Sequence, residues 1–322
     1  MKLFAIFITI GLTWVLRAQT DLFLHIQPKV GNQNFVIGST FTGVDGTAFK
    51  LDYFNYYLSD VLIFHDGGVQ TQVNQKVFLF TADQFGFYLG SYPMQTIDSI
   101  RFMIGVPSRM NTQAGAEAVD ISTFPATNPL SFQSPSMYWG WQFGYMHMIV
   151  GGNADSNNDQ VPDAYFELHN LGDHNQRTVN MPIIATQTTA TQQDIYLDCN
   201  IDQWLRNMPL PTVGILHDHT GLNDSVMANI NQFNVFTQPA SAAITQIAFP
   251  SVNLFEANFS WSNLPHGTLM VNDLSGRNVF NHHWEESNGQ VHLDLNTGYY
   301  LMTVFDENNA LLTSKKYLIV NP

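Results

Sequence analysis

Imidazole nitrogens suit copper and zinc, and thioethers suit cuprous ion. Seven histidines precede residue 240: His25, His65, His147, His169, His174, His217 and His219. Met146 and Met148 flank His147. Side chains two apart on an extended strand share a face, so the rings of His217-Asp-His219 would point the same way, a chelating arrangement. Copper is the metal this reading favours, and zinc remains open on the same imidazoles. A catalytic zinc would want three protein ligands and an open position, and the chain has no His-Glu-x-x-His motif. Blue copper needs a cysteine with two histidines and a weak axial methionine. The single Cys199 has no histidine after it until His217, and Met208 offers no matching loop. Cys199 therefore reads as structural, and His282 and His283 read as solvated surface.

A second cation chemistry lies in Asp155-Ser-Asn157-Asn-Asp159-Gln-Val161-Pro-Asp163. Calcium takes six to eight oxygens, and alternate side chains from Asp155, Asn157, Asp159 and Asp163 could wrap one ion with the Val161 carbonyl. The run resembles the Asp-rich loops of thrombospondin type 3 and dockerin-like repeats. Gln160 replaces the glycine of an EF-hand and Phe166 stands at its twelfth position, so no EF-hand is expected. The alternative is a polar hairpin loop between two strands.

Met137-Tyr-Trp-Gly-Trp-Gln-Phe-Gly-Tyr145 is the most unusual segment. As one strand it would project Trp139, Trp141, Phe143 and Tyr145 to one side, as a core ladder or a binding platform. Asp163 to His169 reads as a strand that delivers His169 to its end. Other chemistries find no support. No carboxylate pair is singled out for glycoside hydrolysis, and there is no Gly-x-Ser-x-Gly elbow. A P-loop, a dinucleotide fingerprint and a Cys-x-x-Cys-His haem site are also lacking. The expectation is a binding protein, not an enzyme.

The elements that must position these groups are strands. The chain has 322 residues, 45% hydrophobic and 13% aromatic, with only 12% charged, which argues against disorder. A formal net charge of −14 repels phosphate backbones and favours cations, so nucleic acid is not an expected partner. Residues 1–19 read as a signal peptide: Lys2, an apolar run from Leu3 to Leu16, then Arg17-Ala18-Gln19. The other reading of this stretch is an N-terminal anchor. No transmembrane segment is expected after its removal. Leu22, Leu24 and Ile26 alternate with Phe23 and His25. Residues 54–64, 99–105, 145–150, 164–168 and 194–197 are further strands, with short helices near 202–206 and 225–232. This is an all-β chain: a β-sandwich with long loops over 20–237, a linker at 238–249, and a small C-terminal β-sandwich over 250–322.

Two resemblances follow. The run Val271-Asn-Asp-Leu-Ser-Gly-Arg277, the turn and strand Leu295-Asn-Thr-Gly-Tyr-Tyr-Leu301, and the last strand with Lys315-Lys316 resemble the C-terminal sorting domain of the type IX secretion system. That implies an outer-membrane translocon as partner and a secreted or cell-surface product that passes through the periplasm. Residues 21–237 resemble the MbnP-like family of copper-binding proteins. The likeness is carried by the His25 strand, Tyr56-Tyr-Leu-Ser-Asp60, Arg101-Phe-Met-Ile-Gly-Val-Pro107, the aromatic block 137–145, and Phe166-Glu-Leu-His-Asn-Leu-Gly172. It implies copper capture or storage with His25 and His169 as preferred ligands and a diheme peroxidase-like partner. It also implies a tryptophan oxidised to kynurenine, for which Trp139 and Trp141 are the candidates. Relatives that place this tryptophan two residues before a first-strand histidine have it where this chain has Phe23. His217 and His219 stand second by their spacing. The rival reading is a non-catalytic surface binding or adhesion module without a transition metal.

Overall fold

The computed structural model describes residues 19–239 and 251–319, apart from 75–76, 83, 85, 112–119, 141–142, 190, 256–257, 263–265, 274, 287 and 307–310. The expected signal peptide up to residue 18 and most of the expected linker lie outside the described residues. Among the described residues no helix is long and apolar enough to cross a membrane.

The chain divides into two compact units, the first ending at Phe236 and the second running from Thr237 onward with the segment Thr81–Gly86. The first unit holds two sheets. A nine-stranded sheet runs in the order Arg177–Pro182, Ile97–Ile104, Ala48–His65, Met148–Ala154, Ala164–Asn170 and Ile215–Asp218. Three short strands, Thr40–Thr42, Val69–Gln72 and Val77–Phe80, also pair with Ala48–His65. A six-stranded sheet is built on Gln192–Asn200 and Thr20–Val30, which run parallel. The all-β expectation holds, and so do the short helices, found at Ile201–Trp204 and Leu222–Gln232.

Alternation explains the packing. Leu22, Leu24 and Ile26 are almost wholly buried, as are Ile195 and Leu197 on the paired strand. Fully buried Trp204 stands among Phe54 and Tyr56 of the larger sheet and Phe236, whose strand pairs with Gln192–Asn200. This aromatic knot fills the space between the sheets, where burying large rings contributes most.

The larger sheet has a second core on its outward face. Tyr57, Val106, Met137, Tyr145, Met146, Ile149 and Leu171 pack there. The aromatic block differs from the single strand expected. Tyr138–Gly140 and Gly144–Tyr145 form an antiparallel hairpin. Gly140 and Gly144 have φ of 103° and 67°, a region open mainly to glycine, which turns the chain back on itself. Tyr145 is therefore buried while Trp139 stays 43% exposed.

The second unit is a small sandwich. Ser251–Phe255, Asn258–Ser262 and Asn288–His292 form one sheet. Gly267–Asp273, Asn278–Trp284, Gly298–Asp306 and Leu311–Ile319 form the other. Trp261, Leu269, Val271, Trp284, Met302 and Val304 are among its core residues. The Asp273 carboxylate accepts the backbone N–H groups of Ser275 and Arg277, which closes the turn after Gly267–Asp273.

Close strand approach is tightest at Gly152. A Cβ there would lie 2.0 Å from the Lys50 carbonyl oxygen and 2.7 Å from Leu51 Cα, beside a bulge in the pairing with Ala48–His65. Gly152→Ala should cost about 1–3 kcal/mol, because backbone on a central strand must move. Urea unfolding that left the midpoint unchanged would contradict this.

Candidate metal centre

The centre lies on the outward face of the larger sheet, where Ala164–Asn170 and Ile215–Asp218 pair in parallel. Phe166 and Leu168 are buried in the sheet's inner face, so alternation turns Tyr165, Glu167 and His169 outward. His169 pairs in register with His217. Their rings stack with centroids 4.3 Å apart and planes 10° apart.

Glu167 joins them from one side. Its Oε1 lies 2.5 Å from His169 Nε2 and 3.5 Å from His217 Nε2. Among the described residues, this is the one group of three or more histidine, cysteine or carboxylate side chains with a ligand atom each within 4.8 Å of the others. Tyr165 donates to Glu167 Oε2 at 2.7 Å, and the Tyr53 hydroxyl lies 3.5 Å from His169 Nε2. Gly151 makes room for Tyr53. It pairs with Tyr53 on one side and Glu167 on the other, and a Cβ on it would meet the Tyr53 hydroxyl at 2.4 Å. Trp139 sets an edge against the His217 ring, centroids 4.7 Å apart.

The electrostatics of the pair pull in opposite directions. Burial opposes ionisation of Glu167, but Tyr165, the neighbouring His169, Tyr53 and His217 outweigh it and hold the carboxyl below its ordinary range. Burial, with His217 in support, pushes His169 downward against the pull of Glu167. His169 Nδ1 is buried without a hydrogen-bond partner. Burial, then Tyr165 and Glu167, holds Tyr53 protonated far above neutral pH. Both imidazoles and the carboxylate can thus present lone pairs to a cation at neutral pH, and the residues fit a transition metal.

The structure brings together only part of the expected ligand set. His25 sits on the other sheet, on the face turned away from Leu22, Leu24 and Ile26. Its Nε2 is 2.8 Å from Asp194 Oδ1, and its ring stacks on Tyr196. Convergence of His25 with His169 is therefore corrected: alternation in each strand points both residues away from the core their sheets share. His219 is corrected as well. The strand ends at Asp218, so the two-residue repeat stops there, and the His219 ring packs on Phe143 and edges against His174. Met148 pairs with Tyr56 and Asn170, which places it on the inner face, opposite the centre. Trp141 lies outside the described residues. Glu167, Tyr53 and Tyr165 were missed from sequence, although Tyr165-x-Glu167-x-His169 carries the same alternating signal as His217-x-His219.

The Asp-rich loop is a separate feature. The Asp155 carboxylate accepts backbone N–H groups from Asn157, Asn158, Asp159 and Gln160. Asn157 and Asp159 each accept one more, and Asp163 binds Ser156. Burial opposes ionisation of Asp155, but these amides prevail and hold its carboxyl below its ordinary range.

The class is an all-β sandwich protein that carries an exposed-edge centre of two histidines and one glutamate. The MbnP family profile matches residues 19–229, and the chain belongs to the MbnP family. Among solved structures it is similar to MbnP from Methylosinus trichosporium, at 11% identity over 66% of this chain and 87% of that one, with a TM-score of 0.43. It is also similar to PorZ, a bacterial surface component of the type-IX secretion system of Porphyromonas gingivalis, at 10% identity, 91% of this chain, 46% of that one and a TM-score of 0.19. No curated protein sequence matches the chain.

His147 shows how the neighbourhood is held. It is fully buried; Nδ1 accepts the Val106 N–H at 3.1 Å and Nε2 donates to the Gly172 carbonyl at 3.1 Å. An Nδ1 that accepts must be unprotonated. Burial dominates over the nearby Asp173 and lowers its pKa from 6.5 to about 4. The unfolded chain therefore binds the extra proton first, and stability is lost as pH falls from about 6.5 to about 4. Integrated over that window the loss is about 3 kcal/mol, and His169 adds in the same direction. Melting temperature should fall across this range, and His147→Gln, less stable at neutral pH, should flatten the profile. A wild-type melt independent of pH between 7 and 4.5 would contradict the assignment.

Proposed function

We propose that this protein captures and holds copper through Glu167, His169 and His217, and that it is a binding protein rather than an enzyme. The observation that carries the reading is three ligand atoms from adjacent strands, all within 4.8 Å of one another. Two imidazoles and a carboxylate also suit zinc and ferrous iron, but copper(II) outranks both in affinity for a given nitrogen and oxygen donor set. Membership of the MbnP family supports the same metal. The formal net charge of −14 raises the local concentration of cations.

Trp139 is the candidate for oxidation to kynurenine, because its indole edges His217 and remains 43% exposed. A diheme peroxidase-like partner would then reach it from solvent. The delivery route belongs to the same proposal. Residues 1–19 direct export, 20–237 form the metal-binding domain, 238–249 link it, and 250–322 address the chain to a type IX translocon and the cell surface.

Protein purified from copper-supplemented cells should carry a single copper ion. His169→Ala and His217→Ala should each abolish it, and His25→Ala should leave it in place. Bound copper should raise stability by about 4 kcal/mol when free metal is a thousand times Kd. Metal-free protein under these conditions would instead favour an adhesion module without a transition metal.

Calcium in the 155–163 loop is the subordinate part of the proposal. Gln160, at the position an EF-hand gives to glycine, has φ of 67°. Calcium should raise the melting temperature and EDTA should reverse the rise. No shift with calcium, and no heat on titration, would leave the loop as a hairpin closed by its own amides.

A further inference from the structure

We infer that the Glu167–His169–His217 centre is built to hold cupric rather than cuprous ion, with Glu167 as the selecting residue; this rests on the copper reading above and adds the oxidation state. Three features of the site support it.

The first is donor hardness. Cuprous ion is soft and is selected by thiolates and thioethers, while mixed nitrogen and oxygen sets in tetragonal arrangements suit copper(II). The three grouped donors are two imidazole nitrogens and a carboxylate oxygen. Met148 faces the opposite side of the sheet, and Cys199 is buried on a strand of the other sheet.

The second is geometry. Cuprous ion is satisfied by two imidazoles on opposite sides of it, which requires ring nitrogens whose lone pairs oppose each other. His169 and His217 are neighbours in register on parallel strands, and their planes differ by 10°. Both Nε2 atoms approach the same Glu167 oxygen. Their lone pairs are therefore side by side, and the backbone pairing keeps them so. A third donor at the angle between them is what a higher-coordinate ion needs.

The third is support for the carboxylate. Tyr165 is a positioning residue: its hydroxyl donates to Glu167 Oε2 at 2.7 Å, leaving Oε1 turned to both histidines. Hydrogen bonds to a ligating carboxylate orient it and tune the metal it holds.

The test is a pair of anaerobic titrations of the full chain, one with copper(II) sulfate and one with copper(I) held in acetonitrile, each against a competing chelator of known affinity. Wild type should bind copper(II) tightly and give an electron paramagnetic resonance signal with nitrogen hyperfine structure. Glu167→Gln is nearly isosteric. It should weaken copper(II) by more than the ~10–100-fold typical of a lost outer partner and change copper(I) binding little. Tyr165→Phe should keep copper(II) stoichiometry and shift its spectrum, which a merely structural tyrosine would not do. Tighter binding of copper(I) than copper(II), or an equal loss of both ions in Glu167→Gln, would overturn this inference while leaving the copper reading intact. Binding of neither ion would overturn both.

Discussion

The centre depends on one backbone register. Ala164–Asn170 and Ile215–Asp218 pair in parallel with His169 beside His217. A slip of one residue would send one imidazole to the opposite face of the sheet. The register is bracketed on both sides. The Glu167 N–H donates to the Gly214 carbonyl at 2.8 Å and the Leu171 N–H to the Asp218 carbonyl at 3.2 Å. Asn170 reaches the Asn223 carbonyl at the start of the Leu222–Gln232 helix. Gly214 has φ of 63°, which lets the chain enter the edge strand from the preceding short helix. Parallel neighbours need a long crossover, so the 171–214 segment, which supplies strands to both sheets, also delivers the second histidine.

Burial and charge then set the chemistry of what the register assembles. Taking Glu167 out of water would by itself favour its neutral form, and taking His169 out of water favours the neutral imidazole. Hydrogen bonds and the two imidazoles reverse the first effect. Burial wins in the second. The combination is an ionised carboxylate beside an unprotonated ring. Metal ligands must be deprotonated before they bind, so these residues hold that state before any ion arrives. The same logic at His147 has another outcome, because both its nitrogens are already used by backbone groups. That histidine ties Val106 to Gly172 and has no nitrogen left for a metal.

Much of the fold was legible because alternation is a local property. Leu22, Leu24 and Ile26 announced a buried face, and the 54–64 and 99–105 runs lie within longer observed strands. The donor set was legible only in part. His169 and His217 could be named, but alternation gives a side chain's face within its strand, not which face another strand turns toward it. His25 satisfies the same local pattern as His169 and sits on the far side of the other sheet. Glu167 was passed over because the search weighed histidines, although a carboxylate two residues before one on a strand is as well placed as a second imidazole. Trp139 was grouped with Tyr145 by the same rule. The two glycines between them invalidate it, since a chain that turns at Gly140 and Gly144 has no common face.

The outward face of the larger sheet is used in two ways, and the division explains why a polar centre survives there. Toward the middle of the sheet, Met137, Tyr145, Met146 and Val106 pack over Tyr57 and Ile149 and exclude water. Toward the edge that cover gives out, and Tyr165 is 44% exposed beside the centre. A carboxylate and two imidazoles within the covered part would pay a desolvation cost that no ion could offset during folding. On a bare edge they would be flexible and hydrated, and would bind weakly. At the boundary, Trp139 and Tyr53 press on the rings from the covered side while solvent reaches them from the other. The hairpin that buries Tyr145 is the same one that sets Trp139 against His217. The packing that makes the cover therefore also orders the centre, and a substitution that loosens Tyr145 reaches His217 through two residues of strand.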